Sequence, residues 1–265
     1  MSSDELTEPL GTVLGHLRRT LGSLADEMRP VGPGFVVRTR SLPLVWALNQ
    51  IRILEPAEFD EVVALAERYQ ADLSYRHVVA EAGATAELAG PFAAAGWKID
   101  NQVVMVLARE PRRKVDAEMV VELSQAQTVE LMRRWTIDDF PGIGEAALGQ
   151  LEEYFAREGR LWSETCFGIL DAHGAPAAVT KLRSDGPTAW VEDVYTAPEA
   201  RGRGYARTLV TYATTRARSA KCDPIFIIAD DDDWPKHLYA DIGFQPRGTI
   251  CFFHQDLVPL ERRVS

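Results

Sequence analysis

Between Arg201 and Arg207, two glycines and three arginines fall within seven residues. They close the segment Val191-Glu192-Asp193-Val194-Tyr195-Thr196-Ala197-Pro198-Glu199-Ala200-Arg201-Gly202-Arg203-Gly204-Tyr205-Ala206. The apolar start reads as a strand, the glycines as a turn, and the residues from Tyr205 as the opening of a helix. Such a turn suits a pyrophosphate. Glycine lets the backbone approach closely and adopt positive φ. The first N–H groups of a helix lack intrahelical partners, and the helix dipole favours an anion there. Arg201, Arg203 and Arg207 add charge for the phosphates. A dinucleotide loop would need a third glycine where Arg207 stands, and a P-loop would need Gly-Lys-Ser/Thr at its end; the segment has neither.

The pattern Arg201-x-x-Gly204-x-Ala206 resembles the Arg/Gln-x-x-Gly-x-Gly/Ala signature of the GCN5-related N-acetyltransferase (GNAT) superfamily. Downstream, Leu238-Tyr239 followed by Gly243-Phe244 resembles that family's Leu-Tyr and Gly-Phe segment, and the Ala197-Pro198-Glu199 turn is also similar. The resemblance covers roughly residues 113 to 265 and is strongest from 189 to 244. It implies that Val194, Tyr195 and Thr196 pair with a pantetheine arm. It implies that amides from Gly202 through Arg203, Gly204, Tyr205 and Ala206 to Arg207 hold the pyrophosphate of acetyl-CoA. A splay between Val191–Thr196 and Pro224–Ala229 would admit the thioester, an amine would attack it directly, and Tyr239 would protonate the departing thiolate. Asp232 is a departure, because the family often has Asn near that position.

The implied reaction also needs a base. A primary amine has a pKa near ~10, so a proton must leave before attack. A positioned carboxylate contributes roughly 10²–10⁴-fold. Glu192 and Asp193 are the candidates, Glu192 first. Side chains alternate along a strand, so only one should face a given cleft. For either, an ion pair with a nearby arginine is the competing role. A non-catalytic acyl-CoA-binding regulatory module is the alternative function; it would need the phosphate turn but neither Glu192 nor Tyr239.

These residues need a sheet and helices to place them. Leu6, Leu10, Val13, Leu14, Leu17, Leu21 and Leu24 recur at helical spacing, and the Pro- and Gly-rich stretch 30–34 reads as the helix stop. Strands are expected at Phe35–Arg40, Leu44–Leu54, Leu73–Val79 and Val103–Ala108, with helices at Glu58–Arg68 and Thr85–Ala95. The charged stretch Arg109–Lys114 is the linker candidate. Beyond it, strands are expected at Met119–Leu123, Thr165–Leu170, Ala177–Leu182, Ala189–Thr196, Pro224–Ala229 and Thr249–His254. Helices are expected at Ala126–Trp135, Glu145–Glu158, Tyr205–Ala220 and Trp234–Asp241. Alternating elements indicate an α/β chain with a mixed sheet.

The resemblance implies a GNAT-type fold for 113–265. Residues 1–112 read as a degenerate GNAT-like domain: Asn49 to Gly96 spans 47 positions against 51 from Glu192 to Gly243, with the same order of elements. The first half has no glycine turn; Glu55-Pro56-Ala57-Glu58 stands in its place and would repel phosphate.

Composition narrows the partners. A net charge of −10 argues against a general nucleic-acid binder. No stretch reaches the ~18–20 apolar residues of a membrane span. Asp4, Glu5 and Glu8 are wrong for a signal peptide, so a cytoplasmic protein is expected. Three widely spaced cysteines, Cys166 expected in the core, and five scattered histidines indicate neither a disulfide framework nor a metal site. The acceptor is expected to be a small-molecule or peptide amine, and the chain a monomer or homodimer.

Overall fold

The structure is a computed structural model that describes residues 3–257 except 112 and 114; the side chains of 3–7, Leu6 among them, also lie outside the described set. Helix α1 (Ser3–Leu24) lays Val13, Leu14, Leu17, Leu21 and Leu24 into the interior. The 30–34 stretch is not its stop. It is the turn of a hairpin of β1 (Glu27–Val31) and β2 (Gly34–Arg38), with Gly32 at φ 40°. Pro30 is tolerated because β1 is an edge strand.

The long strand expected at Leu44–Leu54 is a single 3-10 turn at Trp46–Leu48 followed by a short β3 (Gln50–Ile53). Asn49 causes the break. Its buried side-chain amide donates to the carbonyls of Leu42 and Val45 at 2.8 and 3.0 Å, and its Oδ1 accepts the Thr39 amide at 3.1 Å. Those bonds satisfy a turn that a sheet ladder would have straightened.

The first half continues with α2 (Phe59–Tyr69), β4 (Tyr75–Ala80), α3 (Thr85–Ala94) and β5 (Lys98–Leu107). The second comprises β6 (Val121–Glu122), α4 (Gln125–Asp139), α5 (Glu145–Leu161), β7 (Ser163–Leu170), β8 (Pro176–Ser184), β9 (Ala189–Thr196), α6 (Tyr205–Ser219), β10 (Ile225–Asp230), α7 (Pro235–Ile242) and β11 (Phe244–Asp256). Of the expected linker, Arg112 and Lys114 lie outside the described residues. Arg109 is anchored, its guanidinium donating to the Ala240 carbonyl at 2.8 Å.

Among the described residues all strands join one mixed sheet of eleven, in the order β1-β2-β3-β4-β11-β5-β10-β9-β8-β7-β6. Two strands have exchanged places. If each half closed on itself, β5 would lie beside β4 and β11 beside β10. Instead β11 pairs with β4, β5 pairs with β10, and both are antiparallel. The two strands pair with each other at the centre, from Phe244–Leu107 to His254–Lys98, across a bulge at Pro246/Gly248.

Their side chains follow the exchange. Val103, Met105 and Leu107 of β5 lie in the core under α6, with Leu209, Val191 and Ile227. Cys251 and Phe253 of β11 lie in the core under α2 and α3, where Phe253 stacks on Phe92 at 4.2 Å. Across the opposite face of the sheet centre, α1 packs Val13, Leu14 and Leu17 on Val79, Val104, Val106, Phe226 and Ile250.

Candidate active site

Strand β9 ends in a 3-10 turn at Pro198–Ala200, then the glycine turn, then α6. Gly202 and Gly204 have φ of 78° and 80°, in the left-handed region that disfavours a Cβ by about 1–2 kcal/mol. Nothing within 4 Å would crowd a side chain at either position, so the backbone conformation alone asks for glycine. Gly204 is the N-cap, and the bond from the Thr208 amide to its carbonyl (3.0 Å) closes the first turn. The amides of Tyr205, Ala206 and Arg207 precede that bond and have no helical acceptor. The arginines frame them: Arg201 Nε donates to the Thr196 carbonyl at 3.1 Å, Arg203 to the Glu199 carbonyl at 3.4 Å, and Arg207 pairs with Asp241 at 2.7 Å.

Strands β9 and β10 run parallel but pair at two positions, Ala189 with Ile225 and Trp190 with Phe226. From Val191 onward the β10-facing edge of β9 is open, and it includes the backbone of Val194, Tyr195 and Thr196. Val194 contributes to the core under α6, whereas the Tyr195 hydroxyl donates to Asp138 at 2.6 Å on the α4 face.

The expectation that Glu192 and Asp193 face opposite ways fails, because β9 is bulged. Val179 pairs with Tyr195 and Lys181 with Glu192, so two residues of β9 oppose one of β8. Asp193 takes φ 50° there. A bulge re-aims side chains, and both carboxylates meet the basic residues of β8. Arg183 lies 2.5 Å from Glu192 Oε1, 2.6 Å from Glu164 and 3.0 Å from Glu158; Lys181 lies 2.7 Å from Asp193. The Tyr154 hydroxyl donates to Glu158 at 2.6 Å. Four carboxylates thus surround two cations in the interior. Burial, the largest cause, outweighs Arg183 and holds the Glu192 carboxyl well above the ordinary carboxylate range; Glu158 is raised in the same way.

Above this network a cavity of about 380 Å³ opens between α4 and α5. Lys181 and Glu164 line its floor, with Leu123, Met132, Leu151 and Phe155 on its walls. The Lys181 ammonium lies 5.0 Å from the Phe155 ring centroid.

Tyr239 lies on α7 and is 6% exposed, its ring edge-on to Phe244 at 6.4 Å. Burial, then the charge of Asp233, raises its hydroxyl pKa, so it carries its proton at neutral pH. Asp231, Asp232 and Asp233 lie in the loop between β10 (Ile225–Asp230) and α7, with Trp234 62% exposed beside them. His173 and His237 are exposed, and Cys166 is buried in the core, as expected for it.

The acetyltransferase (GNAT) family model matches residues 129–244, which contain the bulged strand, the glycine turn and Tyr239. Residues 129–244 are a GNAT acetyltransferase domain. Solved structures extend the likeness over both halves, as a likeness of fold. A conserved protein of unknown function from Staphylococcus epidermidis superposes with TM-score 0.67 at 15% identity, covering 88% of this chain and 95% of that one. A GCN5-related N-acetyltransferase from Kribbella flavida gives 0.57 at 15%, covering 90% and 95%. A tandem GNAT protein from the clavulanic acid biosynthesis pathway gives 0.51 at 17%, covering 74% and 68%. No curated protein matches the sequence.

Outside the GNAT match, the first half repeats the order strand, helix, strand, helix, strand from β3 to β5, but its parallel pair is zipped shut. β3 and β4 pair at Ile51–Val78, Arg52–Val79 and Ile53–Ala80, and the Glu81 amide donates to Ile53 at 3.0 Å. The buried Glu81 is clamped by Arg52 at 2.5 Å and by Arg18. Asp60 and Glu61 occupy the first turn of α2, the wrong sign for phosphate.

Four residues of the GNAT site region escaped the sequence reading: Glu158, Glu164, Lys181 and Arg183. Their signal was faint but present. Lys181 and Arg183 stand two apart in a strand whose other residues are uncharged, so they share a face, and a buried cationic face requires carboxylates opposite it.

Proposed function

We propose that the chain transfers an acetyl group from acetyl-CoA to a primary amine by direct attack. The observation that carries this reading is the unzipped β9–β10 pair leading into the glycine turn. A pantetheine can complete the open β9 edge through Val194–Thr196 while its pyrophosphate meets the amides from Gly202 to Arg207. In this reading the amine nitrogen bonds to the thioester carbonyl carbon and its proton passes to Glu192. The C–S bond breaks, and the leaving sulfur takes the Tyr239 proton. Lys181, the partner of Asp193, and Glu164, which shares Arg183 with Glu192, line the α4–α5 cavity, which supports that cavity as the acceptor side. Leu42, Val45 and Leu48 of the first half pack with Leu151, Tyr154 and Leu161 of α5. We therefore assign residues 1–112 a supporting role, backing the helix that walls the cavity.

One observation favours the alternative of a non-catalytic acyl-CoA-binding module: Arg183 already occupies Glu192. Calorimetry with acetyl-CoA, comparing wild type with Gly204→Glu, tests the binding that both readings share. One site per chain is expected, with affinity falling at least ~100-fold in the variant, because a carboxylate enters the phosphate position and a charged hydrogen bond is worth about 1.5–3 kcal/mol. A folded wild type that binds no acetyl-CoA would overturn both readings. Binding without turnover across an amine panel would leave the module.

A further inference from the structure

A second cavity lies at the far edge of the sheet, remote in topology from β9. Its volume is about 350 Å³, and it is enclosed by the β1–β2 hairpin, the end of α2 and the segment after β2. In a chain of net charge −10, this cavity gathers four arginines: Arg29, Arg38, Arg40 and Arg68. Two carboxylates, Glu27 and Asp72, line it with them. Glu27 pairs with Arg29 at 3.5 Å, and Asp72 takes Arg38 through both oxygens at 2.9 and 2.7 Å. Among the described residues no carboxylate pairs with Arg40 or Arg68. The four arginines thus exceed the two carboxylates that line the cavity by two charges.

Three of the four guanidinium groups are held in place. Arg38, 11% exposed at its side chain, also donates from Nη1 to the Tyr69 carbonyl at 2.5 Å. That bond caps the negative end of α2 and shields an incoming anion from it. Arg29 and Arg68 both lie over the Tyr69 ring, at 4.8 and 5.1 Å from its centroid. Such stacking fixes the planar groups and leaves their N–H edges for a ligand. Capping of α2 accounts for Arg38 alone; it gives no role to Arg40.

We propose that this arginine cavity is a binding site for a phosphate-type dianion, either free or as the terminal group of a small metabolite. Charge sets the class: two excess positive charges match one dianion, and forked guanidiniums match phosphate oxygens. The site owes nothing to the acetyl-transfer reading and stands if that reading fails.

The test is a calorimetric titration with inorganic pyrophosphate and, separately, inorganic phosphate, at low salt. The proteins are wild type, Gly204→Glu, and the double variant Arg40→Ala/Arg68→Ala. Both arginines are exposed, so the double variant should fold as wild type does. One site is expected in Gly204→Glu, where the α6 turn is blocked, which separates the cavity from that turn. The double variant should bind at least ~10-fold more weakly, and raising the salt should weaken wild-type binding. Tighter binding of pyrophosphate than of phosphate would identify a metabolite's phosphate chain as the source; equal binding would identify the free ion. No binding, or binding unchanged in the double variant, overturns the proposal.

Discussion

Residues 108–265 expressed alone are expected to be insoluble or unfolded, although they include the whole GNAT match. The truncation removes β5, and with it Val103, Met105 and Leu107 from the core beneath α6. Burying each such side chain contributes ~1.5–3 kcal/mol, so the loss approaches the entire stability of about 5–15 kcal/mol of an ordinary domain. The same cut strips β10 of its partner along Phe226–Asp230 and β11 of both neighbours, leaving apolar edges that invite aggregation. Solubility, circular dichroism and a denaturant melt of the fragment check this. A soluble fragment with cooperative unfolding close to that of the full chain would show that the halves are independent domains.

Glu192→Gln is expected to lower kcat/KM by ~10²–10⁴-fold, the usual contribution of a positioned general base, while acetyl-CoA binding stays within ~2-fold. The charge balance around β8 sets this effect. With four carboxylates about two cations, the interior favours a proton on Glu192, and its pKa rises toward the range where a base for an amine works. The acid limb of the wild-type pH profile should therefore lie above the ordinary carboxylate range and disappear in the variant.

Stability follows with a definite sign. A carboxyl whose folded pKa is raised contributes stability below its unfolded pKa, and that contribution is lost as pH rises through the folded value. Glutamine imitates the protonated form, so the variant should melt with wild type in acid and at or above it near neutral pH. Unchanged kcat/KM would reduce Glu192 to a partner of Arg183. Tyr239→Phe in the same assays should lower kcat more than it changes acetyl-CoA binding.

Local chemistry was legible in the sequence where one segment carried it all. Gly202, Gly204 and the arginines around them lie in one turn, and positive φ there follows from residue type. The helical faces of α1 and α6 were legible for the same reason. Longer-range features were not. The bulge at Asp193 depends on register against Thr180 and Lys181, which the alternation within β9 does not contain. The hairpin at Gly32 was hidden because Pro and Gly stop helices and turn strands alike. Asn49 gave no warning that its amide would tie down the preceding turn. The pairing of Arg183 with Glu158, Glu164 and Glu192 joins four places in the chain that only the tertiary fold brings together.

The position of β11 has a consequence for synthesis. A nascent chain emerging at ~5–20 residues per second completes α2, β4, α3 and β5 long before Phe244–Asp256 leaves the ribosome. For on the order of ten seconds, Phe92 has no Phe253 to stack on, and β4 shows a bare edge. The half made first is therefore the half finished last, its final strand delivered only after the GNAT segment has been translated.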